Sequence, residues 1–150
     1  PDQAPTHAKA SCLYPNGARA TAWAVERGYD MAVMCDADGN VAEFAASNLM
    51  FAKDGVVITP KVNGSFLNGI TRQRVIALLR ESGVTVEERT VRPEELDTAD
   101  EIFSTGNYAK VQPCTNYAGR SLQPGPLARR AREHYFEWAE RDWRILPKAA

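Results

Sequence analysis

Cysteine and histidine are scarce, three and two in 150 residues, and their placement excludes more than their number does. Cys12, Cys35 and Cys114 are odd in count, widely separated and without a C-x-x-C pair or a histidine cluster. A disulfide framework and a zinc site are therefore not expected, and the usage fits a reducing cytosol. An excess of charge of either sign is also missing. The formal net charge is -1 with Lys and Arg scattered among acids, which leaves no electrostatic footprint for nucleic acid or an anionic membrane surface. No apolar run approaches membrane-spanning length, and internal repeats and low-complexity tracts are absent. Pro1-Asp2-Gln3-Ala4-Pro5 has neither a signal-peptide pattern nor an initiator methionine, which suggests processing or a fragment of something longer.

What is present reads as one ordinary soluble domain, 44% hydrophobic and 25% charged, with enough apolar material for a core. After an extended stretch over residues 1–8, periodicity predicts a helix from about Leu13 to Arg27. Pro15 lies in its first turn, Gly28 at its end, and Ala18, Ala22 and Val25 with Trp23 form a small-residue face that can pack closely against a sheet. Strands are expected at Met31 to Cys35, Val41 to Ser47, Leu49 to Lys53 and Val56 to Thr59, with hairpin turns at Asp38-Gly39 and Asp54-Gly55. A helix from Ile70 to Ser82 carries Val75, Leu78 and Leu79 on one face and stops at Gly83. A strand over Val84 to Val91, a short helix at Pro93 to Leu96 and strands at Glu101 to Thr105 and Ala109 to Pro113 follow. After a polar loop comes a last helix from about Pro126 to Asp142, with Leu127, Ala131, Tyr135 and Trp138 as its stripe. Mostly antiparallel strands with interspersed helices make an α+β domain.

The chemistry concentrates between Val41 and Gly83. Glu43 is a lone acid between Val41 and Ala45 on one strand face, where a carboxylate needs a partner. Either a structural salt bridge to an arginine or a protonated pyridine nitrogen would serve. Gly69, Ile70 and Thr71 open a helix whose unpaired N–H groups and dipole can seat a phosphate, although an ordinary helix cap has the same pattern. Gly106, Asn107 and Tyr108 end a strand and could supply further amides. Lys9 lies among small residues just before a helix, where a lysine can be held near a ligand or extend into water; a Schiff-base lysine must shed its proton, which burial favours. Tyr14 could hydrogen-bond a cofactor or pack as an ordinary tyrosine.

Lys9 with Tyr14, Gly28-Tyr29-Asp30, Asp38-Gly39, Glu43 followed by Ser47-Asn48-Leu49, Lys53-Asp54-Gly55, Gly69-Ile70-Thr71-Arg72, Ala99-Asp100-Glu101 and Thr105-Gly106 together resemble the motif series of fold-type IV pyridoxal phosphate enzymes. Within that group the chain most resembles branched-chain amino acid aminotransferases. The resemblance implies the larger cofactor-binding domain of the D-amino acid aminotransferase-like fold, with Lys9 as the aldimine lysine and proton shuttle, and Glu43 on the pyridine nitrogen. It also implies Tyr14 on the ring hydroxyl, a place for Asn48 and Gly69 in the cofactor site, and Ile70, Thr71, Gly106 and Asn107 around the phosphate. Asn107 and Tyr108 would face the substrate carboxylate. Phe44, Tyr108 and Lys110 stand where the family usually has glycine, alanine and an acid, changes expected to crowd and recharge the substrate side.

By the same resemblance the substrates are amino acids and 2-oxo acids, the full-length form is a homodimer, cytoplasmic as the cysteine usage implies, and a smaller N-terminal domain with a phosphate-binding arginine is missing from this chain. D-amino acid and R-amine transaminases and aminodeoxychorismate lyase share the superfamily, and an inactive cofactor-binding or assembly module is the rival from another class. The cofactor reading carries two geometric expectations. Lys9 should be shielded and point toward Glu43 and the Gly69 to Thr71 turn, and Phe66, Leu67 and Tyr108 should remain exposed as an apolar interface.

Overall fold

Two Asp-Gly turns reverse the chain, each for a backbone reason. At the second, Asp54 and Gly55 both take positive φ, 50° and 80°, the geometry that matches a two-residue turn to the twist of its strands. It joins β3 (Asn48–Lys53) to β4 (Val56–Pro60). At the first, the Asp36 carboxylate accepts from the N–H groups of Asp38 and Asn40 and joins β1 (Val33–Cys35) to β2 (Val41–Phe44). The computed structural model describes residues 5–145, and the side chains of residues 5–141.

Helix α1 (Tyr14–Val25) precedes these hairpins, behind a turn of 3-10 helix at Ser11–Leu13. After β4 come α2 (Ile70–Glu81), β5 (Val86–Arg89), α3 (Pro93–Asp97), β6 (Glu101–Gly106) and β7 (Lys110–Pro113). The five-stranded sheet has the order β5-β4-β3-β6-β7. All its neighbours are antiparallel except β4 and β5, which α2 links as a crossover. The stretch read as a polar loop contains a small hairpin, β8 (Asn116–Tyr117) with β9 (Arg120–Ser121), before α4 (Pro126–Ile145). The expected α+β class holds, and among the described residues no helix is long and apolar enough to cross a membrane.

The sheet is covered on both faces, which is why Leu49-Met50-Phe51-Ala52 reads as a continuous apolar run. Met50 and Phe103 pack with Val75, Leu79 and Ala131 under α2 and α4. Leu49, Phe51 and Ile102 pack with Val41, Phe44, Leu96 and Leu122 on the other side. The stripe expected on α4 is found, with Ala131 buried and Leu127 and Tyr135 packed against the core. Its start is held by the buried Glu101 carboxylate, which accepts from the N–H groups of Leu127 and Ala128 at 3.0 and 2.8 Å, a capping arrangement favoured by the helix dipole.

Two expectations are corrected. The strand expected over Val41 to Ser47 breaks at Ala45-Ala46, where Phe44 and Ser47 bond to each other across the turn, so β2 and β3 belong to different sheets. The inward face of α1 is Gly17, Ala20, Thr21 and Ala24, while Ala18, Ala22, Trp23 and Val25 are exposed. The reason is how close the helix lies to the rest of the chain: a Cβ on Gly17 would stand 2.8 Å from the Ala45 carbonyl oxygen. The smallest residues occupy that contact, and Trp23 lies instead under the Arg27 guanidinium.

Candidate functional site

Glu43 reaches its position on β2 half-buried, between buried Ala42 and Phe44. Strand alternation sends Phe44 the other way, into the apolar layer with Leu49 and Ile102, so the expectation that Phe44 crowds the site is not met. Phe44 instead lines a cavity of about 230 Å³ with Tyr29, Met31, Ser104, Gln112 and Cys114. Burial pushes the Glu43 carboxyl up to about 7. Of the two partners open from the sequence, the arginine is absent: among the described residues Glu43 forms no ion pair, and the side chain that donates to it is Asn48, Nδ2 to Oε2 at 3.2 Å. A half-buried acid with one amide donor and no cation is electrostatically unfinished, and a protonated ring nitrogen is the kind of group that would complete it.

Asn48 opens β3 and is 6% exposed. Its Nδ2 also donates to the Leu67 carbonyl at 2.8 Å, and its Oδ1 accepts from the Gly69 N–H at 3.2 Å. One amide thus ties the acid to the loop leading into α2. Gly69 has φ -62° and ψ 141°, which any residue adopts, so its glycine is needed for space: a Cβ would stand 2.4 Å from Asn48 Oδ1. The N-cap residue of α2 is Gly69, which has no side chain to bond the first turn, and the side chain bonded at the helix start is Asn48, on the Gly69 N–H. The N–H groups of Ile70 and Thr71 open the helix at its positive end, with Ile70 86% exposed and Thr71 half-buried.

Arg72 secures this helix start. Its side chain is 1% exposed, and it donates to Asn68 Oδ1 at 2.9 Å, the Pro60 carbonyl at 2.8 Å and Glu88 Oε2 at 3.0 Å. Burial pulls its pKa down, against the opposing pull of Glu88. Composition marks Arg72 only as a polar residue in a helix; its part in holding the loop before α2 needed the fold to bring Pro60 and Glu88 together.

At the other edge of Asn48, β6 places Thr105 directly across in register. Gly106 lies against Ser47, whose Cβ would be 3.2 Å from a Cβ added there. Thr105 is buried, and its hydroxyl has no hydrogen-bond partner among the described residues. Asn107 and Tyr108 are exposed at the β6–β7 turn, and the Lys110 ammonium closes that turn by donating to Asn107 O and Oδ1 at 2.7 and 3.0 Å.

Lys9 is not shielded as expected. Exposure alternates along residues 5–10, with Thr6, Ala8 and Ala10 half-buried and His7 and Lys9 exposed, and alanine methyls are too short to cover a lysine. Lys9 has no hydrogen bond or ion pair among the described residues. Tyr14 is exposed, its hydroxyl likewise unbonded among those residues. Two contacts still place this segment beside the others: the Thr6 hydroxyl donates to the Gly64 carbonyl, in the loop before α2, and Gly17 abuts Ala45, two residues from Glu43. The expected apolar patch is also redrawn. Phe66 is buried with the Arg72 guanidinium over its ring, and Leu67 is half-buried with its carbonyl held by Asn48. Tyr108 is fully exposed, as are most of Ile70 and Tyr14.

The chain is matched by the family "Amino-transferase class IV" over residues 1–117. Among curated relatives, a probable branched-chain-amino-acid aminotransferase of Aquifex aeolicus is 40% identical over 136 residues, covering 88% of this chain and 44% of the relative. D-alanine aminotransferase of Bacillus licheniformis is 42% identical over 95 residues, 61% of this chain and 34% of the relative. A crystal structure of an aminotransferase from Brucella abortus bound to the cofactor PLP superposes with TM-score 0.91 at 52% identity, over 93% of this chain and 50% of that one. The chain spans about half the length, or less, of the proteins it matches.

Proposed function

The chain belongs to the amino-transferase class IV family, and from that premise we propose that it is the cofactor-binding part of a pyridoxal phosphate-dependent aminotransferase acting on branched-chain amino acids and 2-oxo acids. The observation that carries the proposal is the Glu43–Asn48–Gly69 connection: an acid without a cation among the described residues, joined through one amide to a helix start whose N-cap glycine offers no side chain to the first turn. A protonated ring nitrogen and a phosphate on one rigid ligand would satisfy both ends.

Pyridoxal phosphate, when bound, supplies an aldehyde and an electron-withdrawing ring through which an amino group passes from one carbon skeleton to another. Glu43 would hold the ring nitrogen protonated, Tyr14 would bond the ring hydroxyl, and the N–H groups of Ile70 and Thr71 with Gly106 and Asn107 would hold the phosphate. Lys9 would be the attachment point and would carry the proton to and from the substrate α-carbon. Asn107 and Tyr108 would border the substrate. Since Lys9 and Tyr14 are exposed in this chain, the groups that shield them come from the remainder of the full-length protein, from a second copy in a homodimer, or from the cofactor. A second reading, transamination of D-amino acids, is favoured by the similarity to D-alanine aminotransferase.

The test is absorbance of the full-length protein with added pyridoxal phosphate. Wild type is expected to gain a visible band that borohydride bleaches as it fixes the cofactor to Lys9, and Lys9→Ala to gain none. A band of equal intensity in the variant would overturn the assignment. Turnover of L-leucine against D-alanine then separates the two substrate readings.

A further inference from the structure

Resting on that cofactor reading, we infer that Asn48 is a positioning residue: it holds the Glu43 carboxylate and the start of α2 in fixed relation to each other without itself touching the cofactor.

An asparagine amide offers two N–H donors at one end and an acceptor oxygen at the other. Both donor directions of Asn48 are taken, by Glu43 Oε2 and the Leu67 carbonyl, and the oxygen takes the Gly69 N–H. Rotating the amide by half a turn would set its oxygen against a carboxylate and a carbonyl, so the neighbours fix a single orientation. With the residue 6% exposed, little of it is open to a ligand. The missing Cβ of Gly69 supports the same role, since the oxygen occupies the space a side chain there would fill. Asn48 also starts a strand whose next four residues are Leu49, Met50, Phe51 and Ala52, all buried in apolar layers. A polar residue at that point is costly unless fully bonded, and its bonds all run to Glu43 and to the loop that opens α2.

The bond to Glu43 favours the ionised acid, but at 3.2 Å it is long, and burial is the influence that dominates that carboxyl. Losing the bond therefore moves Glu43 further in the direction burial has already moved it.

Two variants of the full-length protein separate the two ends of the amide. Asn48→Leu removes donor and acceptor alike, whereas Asn48→Asp keeps an acceptor for Gly69 and nearly the same size, so it also serves if the leucine variant does not fold. Glu43 ionisation is followed in the apoprotein by infrared difference spectroscopy against Glu43→Gln, and Gly69 by amide hydrogen exchange. The Glu43 midpoint is expected to rise in both variants, by about one pH unit in Asn48→Leu, where a donor is lost, and by more in Asn48→Asp, where a second carboxyl also faces it. Exchange at Gly69 is expected to quicken about tenfold in Asn48→Leu and to stay slow in Asn48→Asp. The dissociation constant for pyridoxal phosphate should rise about tenfold or more in Asn48→Leu. A midpoint and an exchange rate unchanged in both variants would overturn the inference, and so would a loss of cofactor affinity with neither of them altered, which would place Asn48 on the cofactor itself. Failure of wild type to bind pyridoxal phosphate is a different result: it sinks the cofactor reading, while the two apoprotein measurements still report on Asn48.

Discussion

Replacing Glu43 by glutamine should stabilise the empty protein while disabling the loaded one. The carboxyl is raised from its ordinary 4.5 to about 7 by burial, so between those values the folded state binds a proton that the unfolded chain has released. The contribution of Glu43 to stability is then fully present below about pH 4.5 and falls as pH rises through the window, levelling off above about 7. At about 1.4 kcal/mol per unit, the full shift is worth about 3 kcal/mol, and the partial access of water to a half-buried group reduces this to about 2 kcal/mol. Glutamine keeps the shape and carries no charge, so Glu43→Gln should recover about 2 kcal/mol at pH 8.5 and little at pH 4.5. The assay is urea unfolding of the apoprotein at both pH values, with and without the substitution. In the presence of cofactor the sign reverses: transamination should fall roughly a hundredfold, the scale for losing one preorganised electrostatic contact. Equal stabilisation at both pH values, or near-normal turnover in the variant, would refute the reasoning.

Two further substitutions test the scaffold around the site. Gly17→Ala should destabilise the protein by about 1–3 kcal/mol, because the new methyl would meet the rigid Ala45 carbonyl oxygen at 2.8 Å; a lower unfolding midpoint checks it, and an unchanged one would show that α1 can move away at little cost. Arg72→Leu should cost about 3 kcal/mol, since it leaves the Pro60 carbonyl and Asn68 without their donor and Glu88 without one of its two arginine partners. Chemical denaturation measures that loss, and susceptibility of the 60–69 loop to proteolysis should rise with it.

Much of the local structure was legible in the chain because local chemistry decides it. Asp54-Gly55 could only be a tight turn, since few residues other than glycine and Asp or Asn accept positive φ there. The helical spacing of Val75, Leu78 and Leu79 placed α2, and Gly83 ended it. Glu43 stood out because an acid in an apolar strand is expensive, and Asn48 could have been singled out by the same rule, as the polar residue opening Leu49-Met50-Phe51-Ala52. Placing the close-packing face of α1 at Ala18, Ala22 and Val25 with Trp23 failed, because which side of a helix packs depends on what it meets, and here the side that meets the Ala45 carbonyl is that of Gly17, Ala20, Thr21 and Ala24.

The sequence by itself determined the class of elements, their order and the residues with chemistry to spend, because turns, helical periodicity and the cost of an isolated charge are properties of a few neighbouring residues. Tertiary structure alone decided which partners those residues found. Among the described residues it left Glu43 without an arginine, gave Asn48 to both Glu43 and Gly69, buried Phe66 under Arg72 and left Lys9 in solvent. The Asn48–Gly69 bond spans 21 residues, and even the nearer pairs, Glu43 with Asn48 and Phe66 with Arg72, meet only because a turn or loop folds back between them, so burial, hydrogen bonding and charge pairing here depend on three-dimensional packing that no local pattern encodes.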